Sequence, residues 1–381
     1  MSEIEYVTNR AISVVPELEK EDGVADGSEF VFENLDANEK VAVSDIRMVE
    51  VLNFASTPVL ESEVVAHLQD SYGFSEEAAK STVKQLADQD LLVHPDENEQ
   101  LQAEAEAWEE YNWREAFEFY LYFRNYPYID YSLGKEAFQR DHNIMMEYRE
   151  EEPIPPIYKE YEDADTIDLP SIEDDRELRS FSEVMPFEHD GSIETGGEVD
   201  RTELSTILYY AFGETGRVEF PQQGDCLTKT SPSGGARHPT EAYVVALDVE
   251  DVPAGVFHYS VKEHALEETV KEHALEEIHS GDVSDEIVET IYELQSRPSY
   301  EVSFLVVFSS ILERSMWRYR EPRTYTVVQN DIGHLMETLR VVTNSFGLRT
   351  MFGHGYEDDD LSDLLELHSF EEPIFRYAAV G

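Results

Sequence analysis

The chain has 381 residues, with 83 acidic and 28 basic side chains, so its net charge is −55. Self-repulsion of that size destabilises a compact state in dilute buffer, whereas concentrated salt screens it. We therefore expect a protein of a high-salt cytoplasm rather than an acidic interaction protein, whose charge would be concentrated in a tail. The same charge excludes direct nucleic-acid binding, because no basic face can be assembled.

The cysteine count and the hydropathy pattern further limit the classes of protein that fit this sequence. Cys226 is the only cysteine, which excludes an internal disulfide and argues against a cysteine-rich metal site. We expect it to be a small packing residue rather than a nucleophile. The N-terminal residues lack a basic and apolar signal sequence, and no run of about 18 apolar residues could span a membrane. A cytoplasmic protein without a membrane partner is therefore expected.

Residues 1–100 predict a small separate domain. Its apolar spacing gives these elements in order: a strand at 28–35, helices at 43–54, at 59–68 and after the N-cap Ser75, and a strand at 91–93. Three helices and a terminal strand are typical of winged-helix folds, which often bind DNA. The third helix offers only Lys80 and Lys84 as cations, so a peptide or protein partner is the better expectation. A purely structural module is the alternative.

Residues 101–170 are rich in aromatic side chains. Their spacing predicts a helix at about 104–124, followed by an extended arm with four prolines between 153 and 170. Aromatic runs can stack bases, but the acidity of the chain makes bases poor partners. We expect the helix and arm to pack across another surface, such as a second subunit.

Helical and strand patterns alternate from residue 171 onward and predict the main domain, 171–381. The predicted elements are helix 202–212, strands 242–248 and 255–259, helix 285–295, strand 302–309, helices 330–346 and 361–367, and strand 375–380. The strand at 302–309 is almost wholly apolar, which indicates a buried central strand.

The stretch 227–245 carries the strongest chemical signal and reads LTKTSPSGGARHPTEAYVV. Its glycines let a ligand approach the main chain closely. Arg237 supplies a planar cation suited to an anion, and an apolar strand follows. A polar Gly-rich loop before a buried strand is a common way to hold a flat or phosphorylated cofactor. A surface turn with an incidental arginine is the alternative.

A short tandem repeat lies at 261–278, where VKEHALEET is followed by VKEHALEEI. Two copies are too few for a solenoid, which needs at least about three repeats. We therefore expect a duplication that is tolerated in a surface loop. His264 and His273 could ligate a metal, but nothing nearby in the sequence completes such a site, and no metal is expected.

Five blocks that occur in order resemble one family, and they read SPSGGARHPTEAYVV, GVFHY, RYREPRTYTVVQNDIGHLMETLRVVTNSFGL, GHGYEDDDLSDLLEL and EEPIFRYAAVG. The chain from about 105 to 381 resembles the SagB/ThcOx-type dehydrogenases, which are FMN-dependent members of the nitroreductase superfamily. The resemblance implies an α+β, nitroreductase-like fold with a mixed central sheet flanked by helices. It also implies a homodimer with FMN at the subunit interface. The winged-helix-like domain resembles the precursor-peptide-binding elements of this group.

The resemblance further implies a reaction and a set of site residues. The reaction is oxidation of thiazoline or oxazoline rings to azoles in ribosomally made peptides, beside a YcaO-type cyclodehydratase. The residues that would line the flavin lie in the Gly-rich loop and are Ser231, Ser233, Gly234 and Arg237. Arg179 and Ser180 match the segment that meets the FMN phosphate. His354 and Gly355 match the loop whose backbone faces the flavin N5 edge.

Two positions depart from the family pattern. Azoline oxidation needs a base, and in the family that task resembles a Lys-Tyr pair, whereas this chain has Arg318-Tyr319. Arginine is effectively never deprotonated and makes a poor general base. Thr326 also stands where family members often carry arginine. Two other functions therefore stay open, a non-catalytic scaffold that partners a cyclodehydratase and a general nitro or quinone reductase. Tyr319 could equally be a packed aromatic with its hydroxyl satisfied.

Overall fold

The computed structural model describes residues 4–16, 30–43, 45–161, 164–172, 184, 199–220, 224–261, 273–296 and 298–381. Its contacts divide the chain into two compact units, Met1–Asp130 and Tyr131–Gly381. The aromatic helical region belongs to the first unit and the proline-containing arm to the second. The division at residues 100 and 170 stays a prediction. Arg179, Ser180 and His264 lie outside the described residues.

The first unit has the helices and strand that the sequence predicts, with two small sheets. Its elements are β1 (Glu5–Thr8), β2 (Ile12–Pro16), β3 (Phe30–Asn34), β4 (Glu39–Val43), α1 (Arg47–Phe54), β5 (Val59–Leu60), α2 (Glu61–Tyr72), α3 (Glu76–Asp88), β6 (Leu92–Val93), α4 (Pro95–Glu109) and α5 (Arg114–Arg124). The sheets have the orders β5-β1-β6 and β2-β3-β4. The hydroxyl of Ser75 accepts a hydrogen bond from the amide of Ala78 at 3.2 Å, which confirms the predicted N-cap. Val51, Leu68 and Leu86 join the three helices in one apolar core.

The aromatic helix predicted at 104–124 is two helices, so that prediction is wrong. The break falls at Asn112, whose φ of 58° is left-handed and cannot continue a right-handed helix. The ring of Trp108 then packs edge-on against Trp113 at 5.9 Å and against Phe117 at 5.7 Å. Aromatic packing across the break thus replaces the helical hydrogen bonds that are lost there.

The second unit holds the elements that surround the Gly-rich loop. They are α6 (Lys135–Glu151), β7 (Thr166–Asp168), β8 (Val199–Asp200), α7 (Arg201–Phe212), β9 (Glu214–Phe220), β10 (Gly224–Lys229), β11 (Thr240–Ala246), β12 (Val249–Glu250), β13 (Gly255–Val261), β14 (His273–Ser280), α8 (Ser284–Thr290), β15 (Phe304–Ser310), α9 (Glu313–Met316), α10 (Thr324–Ser345), β16 (Thr350–Gly353), α11 (Asp358–Leu364) and β17 (Ile374–Val380). The fold class is therefore α+β, as predicted.

The central sheet has the order β16-β17-β15-β11-β13-β14-β7. The sequence predicts a mixed sheet, but every described pairing in it is antiparallel. β11 and β15 are buried on both faces, because helices cover each side. On one face Ile207 of α7 and Leu335 of α10 share a core with Val244, and on the other Ile287 of α8 packs with Val307. Each such buried side chain contributes about 1.5–3 kcal/mol.

The second copy of the tandem repeat is not a surface loop. From His273 onward it forms β14, which pairs with β13 in the register Val261↔His273 and with β7 on its other side. The residues between the two strands, 262–272, lie outside the described residues. The duplication therefore lies at a hairpin connection, where added length costs little loop-closure entropy. The expectation of a loop is wrong for 273–278, because periodicity alone did not show the strand pairing.

Candidate active site

The Gly-rich loop, residues 230–239, connects β10 to β11 and has an unusual backbone. Gly235, Ala236 and His238 all have positive φ, at 62°, 54° and 43°. Such conformations are costly for residues with a Cβ and persist only where the surroundings impose them. A Cβ on Gly235 would overlap the hydroxyl oxygen of Tyr319, so glycine is required at that position. The loop and the Arg318-Tyr319 segment, predicted separately, are thus in direct contact.

The hydroxyl side chains of the loop point to α10. The Oγ of Ser233 donates to Oδ2 of Asp331 at 2.6 Å, and the amide of Gly234 donates to the same carboxylate at 3.1 and 3.2 Å. The Oγ of Ser231 lies 2.6 Å from the hydroxyl of Thr338. These bonds hold the loop, and its main chain at the exposed Gly235 is the part that a ligand can reach.

Asp331 is a site residue that the sequence reasoning missed. It is buried, and burial raises its pKa against the opposing effect of its bonds to Ser233 and Gly234. A signal for it existed. Asp331 follows Val328 by three positions and precedes Leu335 by four, so a carboxylate stands on the apolar face of a helix. A charged residue in such a place is rarely buried without a partner.

Arg237 and Cys226 form a pair at the base of the loop. The guanidinium of Arg237 is buried, and its Nη2 donates to the sulfur of Cys226 at 2.8 Å. The Nε of Arg237 is also buried and has no hydrogen-bond partner among the described residues. Cys226 is fully buried, which confirms the prediction of a packing residue. Arg237 therefore keeps one unmatched donor beside the loop.

The base of the loop is locally cationic in a strongly acidic chain. Burial, together with the charges of Lys229, Arg314 and Arg237, lowers the pKa of His238 to about 3. His238 is therefore neutral, and three of the 28 basic residues meet at this place. A cavity of about 20 Å³ beside Lys229 and Glu241 has room for roughly one water molecule. These cations would favour an anion at this end of the loop.

Arg318 forms an ion pair with a carboxylate that the sequence did not reveal. Its Nη2 donates to both carboxylate oxygens of Asp141, on α6, at 2.9 Å. The guanidinium carbon lies 4.7 Å from the centre of the Tyr319 ring, in a cation–π arrangement. The Nε of Arg318 is buried without a partner among the described residues. No local pattern could have found Asp141, since 177 positions separate the pair.

His354 and Gly355 lie apart from the loop within this chain. They follow β16, which is three strands from β11 in the sheet, or about 14 Å at the usual strand spacing. β11 runs antiparallel to β16, so the loop before β11 and the segment after β16 lie at the same edge of the sheet. His354 is exposed, and the carbonyl of Gly355 accepts a hydrogen bond from the amide of Tyr292 at 3.2 Å. The structure brings the loop, Arg318 and Tyr319 together, and it does not add His354 and Gly355 to that contact.

The donor set fits a planar cofactor that carries negative charge. The exposed main chain of the loop meets the aromatic hydroxyl of Tyr319 at Gly235, and the buried Nε of Arg237 in the same loop has no hydrogen-bond partner among the described residues. Such groups bind the edge and the charge of a flavin rather than a metal. Within the part of the chain that the structure describes, no group of three or more His, Cys, Asp or Glu could hold a metal ion.

Comparisons with known proteins match the second unit. Residues 197–381 match the model of the nitroreductase family. Over 267 residues the chain is 30% identical to the trifolitoxin-processing protein TfxB of Rhizobium leguminosarum bv. trifolii, with 68% of each chain covered. It is 28% identical to the trifolitoxin-processing protein TfxF of the same organism over 144 residues, or 38% of this chain and 43% of TfxF.

Solved structures give weaker similarity. One chain from Anabaena variabilis aligns with a TM-score of 0.44 and 21% identity, over 62% of this chain and 46% of its own length. The E. coli microcin synthetase McbBCD complex with truncated pro-MccB17 bound aligns with a TM-score of 0.38 and 20% identity, over 55% of this chain and 78% of that chain. The sequence comparisons therefore carry the assignment. None of the described helices is both long and apolar enough to cross a bilayer.

Proposed function

The chain belongs to the nitroreductase family and is an oxidoreductase, and we propose that it uses FMN to oxidise azoline rings in ribosomally made peptides. The predicted resemblance to the SagB/ThcOx-type dehydrogenases is confirmed at the level of the family. The observation that carries the proposal is the 30% identity to a trifolitoxin-processing protein over 68% of both chains. TfxB is a trifolitoxin-processing protein, and the match to the nitroreductase family covers residues 197–381 of this chain.

The cofactor would lie against the Gly-rich loop. Membership of the family implies a flavin, and we infer FMN from the resemblance. A bound flavin accepts the two electrons of the oxidation. The main chain at Gly234 and Gly235 would hold its ring, with Tyr319 beside it and Arg237 supplying positive charge. For Ser231 and Ser233 we infer an indirect role, since their hydroxyls bond α10 and fix the loop.

Proton removal from the ring is the step that this chain must arrange with different residues. Arg318 cannot accept a proton, and its guanidinium is bonded to Asp141. Tyr319 contacts the loop at the exposed Gly235, so it is the group we place next to the substrate. We assign no catalytic proton transfer to Arg318.

Partners follow from the same proposal. A peptide substrate and a YcaO-type cyclodehydratase that makes the azoline are inferred from the resemblance. The winged-helix-like unit is proposed to hold part of the peptide, and a cleft of about 610 Å³ beside Thr8 and Pro58 offers it room. His354 and Gly355 are proposed to meet the flavin of a partner subunit in a homodimer. Arg179 and Ser180 are proposed to meet its phosphate. Adaptation to salt and a cytoplasmic location stay predictions.

The experiment is purification of the full chain in molar KCl, followed by absorbance and mass analysis of any released flavin. A synthetic peptide with one thiazoline is then offered, and loss of two hydrogens is followed by mass spectrometry. We expect bound FMN and azole formation. Tyr319→Phe should keep the flavin and lower turnover by about 100-fold, because an aligned proton-transfer group contributes 10²–10⁴-fold.

Tyr300→Phe is the matched control, because the hydroxyl of Tyr300 bonds the backbone of β17 and lies outside the loop. It should change turnover less than about twofold. Bound FMN with nitro or quinone reduction but no azole would replace the proposal by a general reductase. A folded, colourless chain that takes up no FMN would favour the scaffold that the substitution at 318 suggests.

A further inference from the structure

Four residues from distant parts of the second unit form one line of contacts that ends at the Gly-rich loop. Asp141 accepts two hydrogen bonds from Arg318 at 2.9 Å. Arg318 lies over the ring of Tyr319 at 4.7 Å. The hydroxyl of Tyr319 in turn lies against Gly235, where no Cβ could fit. We propose that Asp141 is a positioning residue, which fixes Arg318 on the face of Tyr319 and so fixes the Tyr319 hydroxyl at the loop.

The burial of the pair supports a role beyond a surface ion pair. The side chains of Arg318 and Asp141 are 11% and 19% exposed. Exposed ion pairs hold two flexible side chains only loosely, whereas a charge-assisted bond that is mostly shielded from water fixes both. Arginine has four rotatable bonds, and without an acceptor its guanidinium would leave the ring face. Asp141 is therefore the carboxylate that holds the positive charge in this place.

The positioning role of Asp141 explains why arginine can stand at position 318, where the family has lysine. A planar guanidinium can stack on an aromatic face while it donates to a carboxylate, whereas a lysine ammonium is a compact point charge without a plane to stack. The substitution exchanges a possible base for a rigid support. This inference rests on the proposed function, because it gives Asp141 its task at the site where Tyr319 is placed beside the substrate.

A second pair on the same two elements is a matched control. Arg320, two positions after Arg318, bonds Glu151 of α6 at 2.9 Å. The side chain of Glu151 is 61% exposed, and no contact joins it to Tyr319. Glu151→Gln and Asp141→Asn therefore remove equal charge from one helix, although Arg320 keeps a second carboxylate partner in Glu152. Only Asp141→Asn should change the position of Tyr319 at the Gly-rich loop.

The test is a double-mutant cycle of Asp141→Asn and Arg318→Met in the flavin-loaded full chain. Each single variant should lower kcat on the azoline peptide about tenfold, with KM and flavin content changed less than about twofold. The double variant should be no slower than either single variant, because both changes break one line of contacts. Glu151→Gln should match the wild type. The visible circular dichroism of the bound flavin should change with kcat.

Three results would overturn the inference: equal kcat for Asp141→Asn and Glu151→Gln, multiplied effects in the double variant, or faster turnover in Arg318→Lys. Asp141→Glu, which keeps the charge, should restore most of the activity and guards against a folding defect in Asp141→Asn. If the wild type forms no azole, the proposed function fails separately. The circular dichroism of the bound flavin still tests the positioning, and without flavin the same cycle is measured on the denaturation midpoint.

Discussion

Two buried histidines close to each other in the chain have opposite pKa shifts, and the difference separates the two polar regions of the second unit. His238 ends the Gly-rich loop, and burial beside Lys229 lowers its pKa to about 3. His258 lies on β13 between Glu241 and Glu276, at 3.2 and 2.8 Å. Burial disfavours its charged form, but the two carboxylates outweigh burial and raise its pKa.

The charged groups around His258 are paired with one another, whereas those at the Gly-rich loop are paired only in part. In the His258 cluster, defined as Glu241, His258, Glu276 and Arg314, each carboxylate accepts a bond from a cation or from the histidine. At the loop, Arg237 and Arg318 each keep a buried Nε without an acceptor among the described residues. A buried ionic group that is fully paired supports the fold, and one that is partly paired indicates a ligand.

The largest test of this contrast is Glu241→Gln. It leaves Arg314 and His258 short of a carboxylate in the interior, so the free energy of unfolding should fall by about 3–5 kcal/mol. Denaturant unfolding in molar KCl measures it. Glu337→Gln removes a more exposed ion pair, with Arg340, and should cost less than about 1 kcal/mol. Equal losses would mean that the His258 cluster is not a structural unit.

Gly235→Ala tests the loop directly. The substitution meets a φ of 62° and the hydroxyl of Tyr319, so it should cost about 1–3 kcal/mol and displace Tyr319. Flavin affinity should fall with it, as measured by fluorescence titration. Gly73→Ala is the control, because Gly73 has a φ of 72° with nothing within 4 Å of the added Cβ. It should cost stability alone, and a loss of flavin in both variants would count against the loop.

The smallest effect is on the pH dependence of stability. The raised pKa of His258 gives stability that is complete below about pH 6.5 and is lost as pH rises through the folded value. His238 does the opposite, since its lowered pKa removes stability as pH falls from about 6.5 toward 3, and burial acts likewise on His273. Glu241, whose pKa is lowered by Arg314 and His258 against the effect of burial, stays ionised throughout.

The unfolding midpoint should therefore be highest near pH 6.5. On either side, each histidine should lower the free energy of unfolding by at most about 1.4 kcal/mol per pH unit. His258→Gln should flatten the alkaline side, and His238→Gln the acidic side. A midpoint that keeps rising above pH 7 in the wild type would show that His258 is not charged in the folded protein.

Local sequence patterns were sufficient to predict most of the helices and strands and the Gly-rich loop. The helix at Arg201–Phe212, the strand at Phe304–Ser310 and the capped helix after Ser75 all follow from apolar spacing and cap chemistry. The long helix was found but begins earlier than predicted, at Thr324. The aromatic helix was joined across Asn112, because a left-handed residue interrupts the backbone without interrupting the apolar pattern.

The sequence by itself determined the acidity, the family and the main-chain chemistry of the Gly-rich loop, because each depends only on composition or on contiguous residues. The tertiary structure alone decided what Arg318 does, because its partner Asp141 is 177 positions away. It also decided that one buried histidine has a lowered pKa and the other a raised pKa. The charge on a buried side chain depends on the carboxylates and cations that the fold brings to it, and no stretch of the chain contains that arrangement.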